Sequence, residues 1–343
     1  MVTIQDVARA AGVSPATVSR VFNGGNVTAA RAESVRQAAA ELGFAPNRLA
    51  RSLRKQQSSV IGLIIPDIEN PFFTSLARGV EDAAQRTGMS VVLCNSDEDV
   101  EKERRYIDIV MGEQMAGVIV AAASRDRTDL SPLMARGMPV VAVDRRPHDA
   151  DVDAVMVDNQ HGGEVATRHL LRAGYQRVAC ITGPAGASTS EERLAGYRAA
   201  LRGELGAERS GGSGDAAGTA SYVRHADFRV EGGRAAMHEL LALPEPPDAV
   251  FVANNLMTVG ALEALREAGQ APPGVGVLSF GDVPWASLVR PSLTTVELPS
   301  YDLGRTAAEL LLQRMAGSEA LLQTVVLRTT LKPRDSTSGP SGT

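Results

Sequence analysis

Thr3-Ile4-Gln5-Asp6-Val7-Ala8-Arg9-Ala10-Ala11-Gly12-Val13-Ser14-Pro15-Ala16-Thr17-Val18-Ser19-Arg20-Val21-Phe22-Asn23-Gly24 is the stretch from which the rest of the chain is read. Ile4, Val7, Ala8 and Ala11 recur at i, i+3, i+4 and i+7, one apolar stripe of a helix, and Thr3 followed by Asp6 has the form of a capping box at its start. Gly12 stops that helix. Ser14 is a good N-cap for the next one, and Pro15 suits the first helical position, where its missing N–H needs no partner. Val18, Val21 and Phe22 then form the second buried stripe. Pro15, Ala16, Ser19, Arg20 and Asn23 are left on the outer face.

Two short helices around a tight turn, the second showing small residues, an arginine and an asparagine, have the shape to enter a DNA major groove. Arg20 is the natural base reader, since its planar fork can donate two bonds to guanine, worth about 1–3 kcal/mol of discrimination. On this pattern alone an ordinary helical hairpin with a solvated arginine stays open. Charge bears on the choice. The chain carries a net −5 over 343 residues, but residues 1 to 58 hold Arg9, Arg20, Arg31, Arg36, Arg48, Arg51, Arg54 and Lys55 against only Asp6, Glu33 and Glu41. A basic head on an acidic body points to a polyanion met by the head alone.

With 44% hydrophobic and 22% charged residues, wholesale disorder is excluded and two or three domains fit the length. Cys94 and Cys180 sit in apolar runs without metal or redox spacing and read as buried small hydrophobes. The polar start is not a signal peptide. Runs such as Met115 to Ala123 are too short to span a bilayer, so the expected location is the cytoplasm, with no membrane partner.

Ala29 to Leu42 reads as a third helix, with Ala32, Val35, Ala38, Ala39 and Leu42 inward. Pro46 to Lys55 is helical in pattern, with Leu49 and Leu53 at i, i+4, yet too short to be stable alone. From Val60 the pattern changes to short strands alternating with amphipathic helices, which implies parallel sheet with crossover helices. It runs strand 60–65, helix 73–87, strand 90–94, helix 100–114, strand 117–121, helix 130–136, strand 139–143. A second series follows: helix 163–173, strand 177–182, helix 192–201, strand 223–228, helix 233–241, strand 249–253, helix 257–268, strand 275–280. Two open α/β units thus lie in series, and ligands of such sheets bind beyond the carboxyl ends of the strands. Gly203 to Ala220 reads as a flexible surface loop.

Val7-Ala8 with Gly12-Val13-Ser14, Thr17 through Asn23, Pro46-Asn47 through Ala50 and Leu53, Asn70-Pro71-Phe72-Phe73, Arg193-Leu194-Ala195-Gly196-Tyr197, Ala253-Asn254 and Pro291 through Val296 occur here in one order and spacing. In these motifs the chain resembles the lactose-repressor (LacI/GalR) family of bacterial transcription regulators, from Thr3 to about Pro340. The resemblance implies an α/β protein with an all-α helix-turn-helix head and a two-lobed, periplasmic-binding-protein-like core of parallel sheets flanked by helices. The head would occupy 1–45, a hinge helix and linker 46–58, and the effector-binding and dimerisation core 59–334. Lobe 1 would take about 59–160 and 291–322, lobe 2 about 161–290 and 323–334, and 335–343 would be a disordered tail.

The resemblance also implies a homodimer on a pseudopalindromic double-stranded operator, under control of a small sugar-like effector. DNA contacts would come from Thr3, Ser14, Pro15, Ala16, Thr17, Ser19, Arg20 and Asn23 in the head, and from Asn47, Ala50, Leu53 and Arg54 in the hinge. Leu53 would be the apolar wedge in the central base step. In the effector site Phe72 and Phe73 would be apolar or stacking contacts, Asp144 and Asn254 hydroxyl binders, and Arg193 the charged anchor. Trp285, on the loop after Asp282, would stack on a sugar ring; for these three aromatics a place in the lobe core is the alternative.

The chain departs from the family pattern at three places. Arg31-Ala32 stands where a threonine-arginine pair opens the third helix, Asn254-Asn255 replaces Asn-Asp, and Phe280-Gly281-Asp282 replaces Phe-Asp-Asp, leaving Asp282 to compensate or not. A receptor or solute-binding protein without gene regulation is the second reading, though the basic head has no part in it. An enzyme is the third. It is disfavoured because no GxGxxG, Walker lysine, metal spacing or activated nucleophile is present, so no catalytic residue, cofactor or metal is expected.

Overall fold

The computed structural model describes residues 2–22, 25–44, 58–148, 150–206 and 221–340. The chain divides into two units, Met1–Gln57 and Ser58–Thr343.

In the first unit α1 (Ile4–Ala10) starts at the expected capping box: Asp6 N donates to Thr3 Oγ1 at 3.3 Å and Thr3 N donates to Asp6 Oδ2 at 3.0 Å. Gly12 ends the turn at φ +66°, a conformation that favours glycine. Thr17 N then donates to Ser14 Oγ at the start of α2 (Pro15–Phe22), and α3 (Ala29–Glu41) closes the head. Val7, Ala8, Val18, Val35, Ala38 and Ala39 form its core. Leu42, expected inward, is 39% exposed. The chain turns at Gly43 (φ +63°), and Phe44 instead packs on Phe22, ring centroids 5.8 Å apart. Asn23, Asn47, Ala50, Leu53, Arg54 and nearly all of the expected hinge lie outside the described residues.

The second unit holds two six-stranded sheets. Sheet one is built from β1 (Val60–Ile65), β2 (Ser90–Asn95), β3 (Gly117–Val120), β4 (Val140–Val143), β5 (Asp153–Val157) and β11 (Thr324–Leu327), in the order β11-β5-β4-β3-β1-β2, all parallel. Sheet two is built from β6 (Val178–Thr182), β7 (Val223–His225), β8 (Ala249–Val252), β9 (Gly276–Phe280), β10 (Thr294–Glu297) and β12 (Thr330–Lys332), in the order β12-β10-β9-β8-β6-β7, with only β12 antiparallel. The central strands β1, β3, β4, β6, β8 and β9 are buried on both faces because helices cover both faces.

In lobe 1, α4 (Pro71–Gln85) and α11 (Ser300–Met315) cover one face, and α5 (Val100–Gly112) with α6 (Ser131–Ala135) the other. In lobe 2, α7 (Asn159–Arg172) and α8 (Ser188–Gly206) cover one face, and α9 (Val230–Leu241) with α10 (Asn255–Glu267) the other. Reciprocal glycines let helix backbones touch: a Cβ at Gly163 of α7 would overlap the Arg193 carbonyl of α8, and one at Gly196 of α8 the Gln160 carbonyl of α7. Cys94 and Cys180 are buried as expected, and burial pushes both thiols up.

The lobe boundaries need correction. The segment 291–298, expected in lobe 1, contributes β10 to the second sheet beside β9, and β11, expected in lobe 2, pairs with β5 in the first. Both strands are short and similarly composed, so nothing local says which sheet each joins. Three crossovers therefore link the lobes: Asp158 after β5, Leu298-Pro299 after β10, and Arg328-Thr329 after β11. Nor is the segment from Asp335 a disordered tail: Asp335–Thr337 forms a 3-10 turn, Ser336 and Thr337 are buried, and Ser336 Oγ donates to Val277 O at 2.7 Å. α8 continues through the expected loop start at Gly203 to Gly206, and 207–220 lie outside the described residues.

Candidate functional site

Strand ends from both sheets converge on a cavity with about 330 Å³ of empty space, lined by Asn70, Phe72, Phe73, Asp144 and Arg145 from lobe 1, by Leu298 of a crossover, and by Thr189, Arg193, Phe228, Asn254, Asn255, Phe280 and Gly281 from lobe 2.

Asp144 follows β4 at φ +60°, a left-handed conformation rarely taken by a residue with a side chain. It is 3% exposed, and its Oδ1 has no hydrogen-bond partner among the described residues. Burial pushes its carboxyl up, and the charges of Arg193 and Arg145 pull it back. Arg145 is gripped by Glu98 through two bonds of 2.6 and 2.9 Å, but its Nε is also unpartnered and lies 3.8 Å from Asp144 Oδ2.

Arg193 is held by its own lobe. Its Nε donates to Asn159 Oδ1 and its Nη1 to Ala253 O, both at 2.9 Å, and the guanidinium sits 4.2 Å from the centre of the Phe280 ring. Burial pushes it down to about 10, so it stays charged at neutral pH. Asn254 caps α10, its Oδ1 accepting from Leu256 N and Met257 N. Asn70 caps α4 in the same way, accepting from Phe72 N, and also accepts from Asn255 Nδ2 across the cleft at 3.1 Å. Phe72 and Phe73 meet edge to face, 4.9 Å apart; both also pack on the lobe 1 core.

Five of the seven expected effector residues, Phe72, Phe73, Asp144, Arg193 and Asn254, are thus brought together. Two are not. Asp282 turns away from the cavity, where its carboxylate accepts two bonds from Arg334 at 3.2 and 3.1 Å and one from Thr295 Oγ1 at 3.0 Å. Trp285 packs half-buried against the lobe 2 core. Gly281, at φ +103°, lines the cavity instead, with no carboxylate to offer. Arg145, Thr189, Phe228 and Phe280 are lining residues that sequence reasoning did not assign. Arg145 had a signal, being next to Asp144; Phe228 had none, because the strand before it is three residues long.

In the head, Ser14, Pro15, Ala16 and Arg20 are exposed together, Thr17 and Ser19 are half-buried beside them, and Thr3 is exposed. Among the described residues no group of His, Cys, Asp and Glu has the makings of a metal site, and no helix is long and apolar enough to cross a membrane.

The fold and the cavity define a small-molecule-binding core that follows a helix-turn-helix head in the chain. Residues 58–332 match the family described as periplasmic binding proteins and sugar binding domain of LacI family, and residues 3–47 match bacterial regulatory proteins, lacI family. The chain belongs to the LacI family. It is 37% identical over 341 residues to the ribose operon repressor of Halalkalibacterium halodurans, spanning 99% of this chain and 98% of that one. It is 36% identical over 340 residues to the ribose operon repressor of Escherichia coli, spanning 98% and 100%. A Lac repressor dimer bound to operator and the anti-inducer ONPF superposes with a TM-score of 0.85 at 26% identity, spanning 98% of this chain and 99% of that one.

Proposed function

We propose that this chain represses transcription by binding a pseudopalindromic operator as a homodimer in the cytoplasm, under control of an uncharged monosaccharide bound between its lobes. The observation that carries the effector reading is the adjacent pair of unpartnered buried atoms, Asp144 Oδ1 and Arg145 Nε, facing a cavity walled by Phe72, Phe228 and Phe280. A hydroxyl donates to the first while accepting from the second, and an apolar sugar face stacks on the rings. Charge supports a neutral ligand: Glu98 offsets Arg145, and Asp144 sits in the field of Arg193. The names of the relatives make D-ribose the first compound to try.

Operator contacts are assigned to Thr3, Ser14, Pro15, Ala16, Thr17, Ser19, Arg20 and Asn23, and to Asn47, Ala50, Leu53 and Arg54 of the hinge. Phe72, Phe73, Asp144, Arg193 and Asn254 are assigned to the effector. The test is fluorescence anisotropy of the protein on DNA upstream of its own gene and neighbouring operons, over a salt series and a sugar panel. Tight binding to one fragment that one sugar alters supports the reading. Weak, salt-sensitive binding to every fragment, indifferent to every sugar, refutes it.

A further inference from the structure

Arg229, immediately before α9 in lobe 2, reaches over the mouth of the cleft to two carboxylates of lobe 1. Its Nη2 donates to Asp97 Oδ1 at 2.5 Å and its Nη1 to Asp67 Oδ2 at 3.4 Å. Asp67 is buried and Arg229 one-third exposed, while Asp97 is 53% exposed, so water screens the Asp67 half of this bridge less than it screens Arg125 to Glu191, another ion pair between the lobes, in which both side chains are at least 40% exposed.

The bridge has a neighbour on each side that leads to the effector cavity: Phe228 lines it, and Glu98 bonds Arg145, which lines it. Phe228, next to Arg229, is held at φ +64°; its ring fills the space a Cβ at Gly183 would need and lies 5.1 Å from the guanidinium of Arg145. Across the cleft, Asp97 and Glu98 both stand at φ +58°. Asp97 takes Arg229, while Glu98 takes Arg145. A two-residue turn in a left-handed backbone thus holds the bridge with one carboxylate and the cavity arginine with the next. Two such residues in succession are held only by what surrounds them, so releasing one carboxylate frees the other to move.

We propose that Arg229 is a clasp: its bridge to Asp67 and Asp97 holds the lobes shut, and through the Asp97-Glu98 turn it ties closure to the position of Arg145 in the effector site. Arg229 is a positioning residue and need not touch the ligand. The second half of the proposal rests on the effector reading above; the first does not. If the closed arrangement is the binding-competent one, loss of the clasp lowers apparent effector affinity in proportion to the closed fraction lost.

The experiment uses the full-length protein with spin labels on D126C in lobe 1 and E231C in lobe 2, both exposed positions, and reads the distance distribution by pulsed electron resonance without any ligand. R229A, and separately D97N in case the first folds poorly, is expected to move the distribution to longer distances, with the charge swap D97R/R229D moving it part of the way back. D-ribose titration by calorimetry is expected to weaken about tenfold in R229A and to recover in the swap. An unchanged distribution in both folded single variants overturns the clasp. A longer distance with unchanged D-ribose affinity overturns the tie to the effector site. If the unsubstituted protein does not bind D-ribose, that reading of the ligand fails by itself, and the distance distribution still decides the clasp.

Discussion

Replacing Arg193 by Met keeps most of the side-chain volume and removes only the charge and the donors. Two buried acceptors, Asn159 Oδ1 and Ala253 O, then lose their partners, each at about 1–3 kcal/mol, and the contact with the Phe280 ring is lost. Against this, the variant no longer buries a guanidinium, whose effective desolvation is several kcal/mol. The two effects offset in part, and the net loss of stability expected at neutral pH is about 2–4 kcal/mol. Asp144 decides how that loss varies with pH. Burial already holds its carboxyl above the usual range, and Arg193 is the leading charge pulling it down.

Without Arg193 the folded-state pKa of Asp144 rises further above its unfolded value. The folded state then holds the extra proton, so the penalty is full above the folded pKa and shrinks as pH falls toward the unfolded one. Urea unfolding of R193M and the unsubstituted protein from neutral to mildly acid pH is expected to show the gap closing. D144N added to R193M should recover part of the loss, a coupling of about 0.5–3 kcal/mol. Effector affinity should fall by about 2 kcal/mol or more, roughly thirtyfold. Strict additivity of R193M and D144N, or an R193M protein that binds effector normally, refutes the placement of this arginine as the leading charge that pulls the buried Asp144 carboxyl back down.

Gly163→Ala drives a Cβ into the Arg193 carbonyl, so it should destabilise by at least about 1–3 kcal/mol and weaken effector binding together, read by denaturation and calorimetry; a change in stability alone counts against the helix contact as the support of Arg193. His169 is kept below its usual pKa by burial and bonds Thr337 Oγ1 at 2.7 Å, so it stays neutral when folded while the unfolded chain takes up a proton. Stability should therefore fall as pH drops below about 6.5, and H169Q should flatten that part of the profile; an unchanged slope refutes it. R20A should lose about 1–3 kcal/mol of discrimination between the operator and a mutated site in anisotropy titrations. L53A should weaken operator binding and leave effector binding intact; equal operator affinity removes the wedge.

The head was legible because its signals are local: Thr3 and Asp6 bond each other, Ser14 caps its own helix, and Gly12 adopts the conformation that glycine suits. The repeating strands were legible for the same reason. What stayed hidden depends on partners far along the chain. Asp282 looks like a ligand carboxylate until Arg334 is seen holding it, 52 residues later. Trp285 looks like a stacking platform until the core of its own lobe is seen to receive it. β10 and β11 are both four residues long and open with threonine, and only pairing with β9 and β5 distributes them between the sheets. Phe280 could be placed on a strand, yet its role as the floor under Arg193 needs α8 and β9 brought together.

These hidden contacts also explain why so divided a core can respond to a small ligand. The four apolar clusters each lie within one lobe, and Leu298, on a crossover, is the side chain that packs against a cluster of both. Among the described residues the other contacts between the lobes include Asn255 to Asn70, Arg229 to Asp67 and Asp97, Arg125 to Glu191, and the Arg145 guanidinium over the Phe228 ring. Rotation about the three crossovers therefore leaves the four apolar clusters intact and exchanges these hydrogen bonds, ion pairs and the one ring contact for water. Each is worth about 0.5–3 kcal/mol net, so opening is a matter of a few kcal/mol rather than of unfolding a core. A ligand moves a two-state equilibrium by its differential affinity, and about 5.5 kcal/mol is enough to invert it from 1:99 to 99:1. A handful of hydroxyl bonds to the residues proposed above for the effector, Asp144, Arg145, Arg193 and Asn254, made fully only when both lobes approach, would be of that size. Leu298, touching cavity and crossover at once, puts the cavity at the pivot.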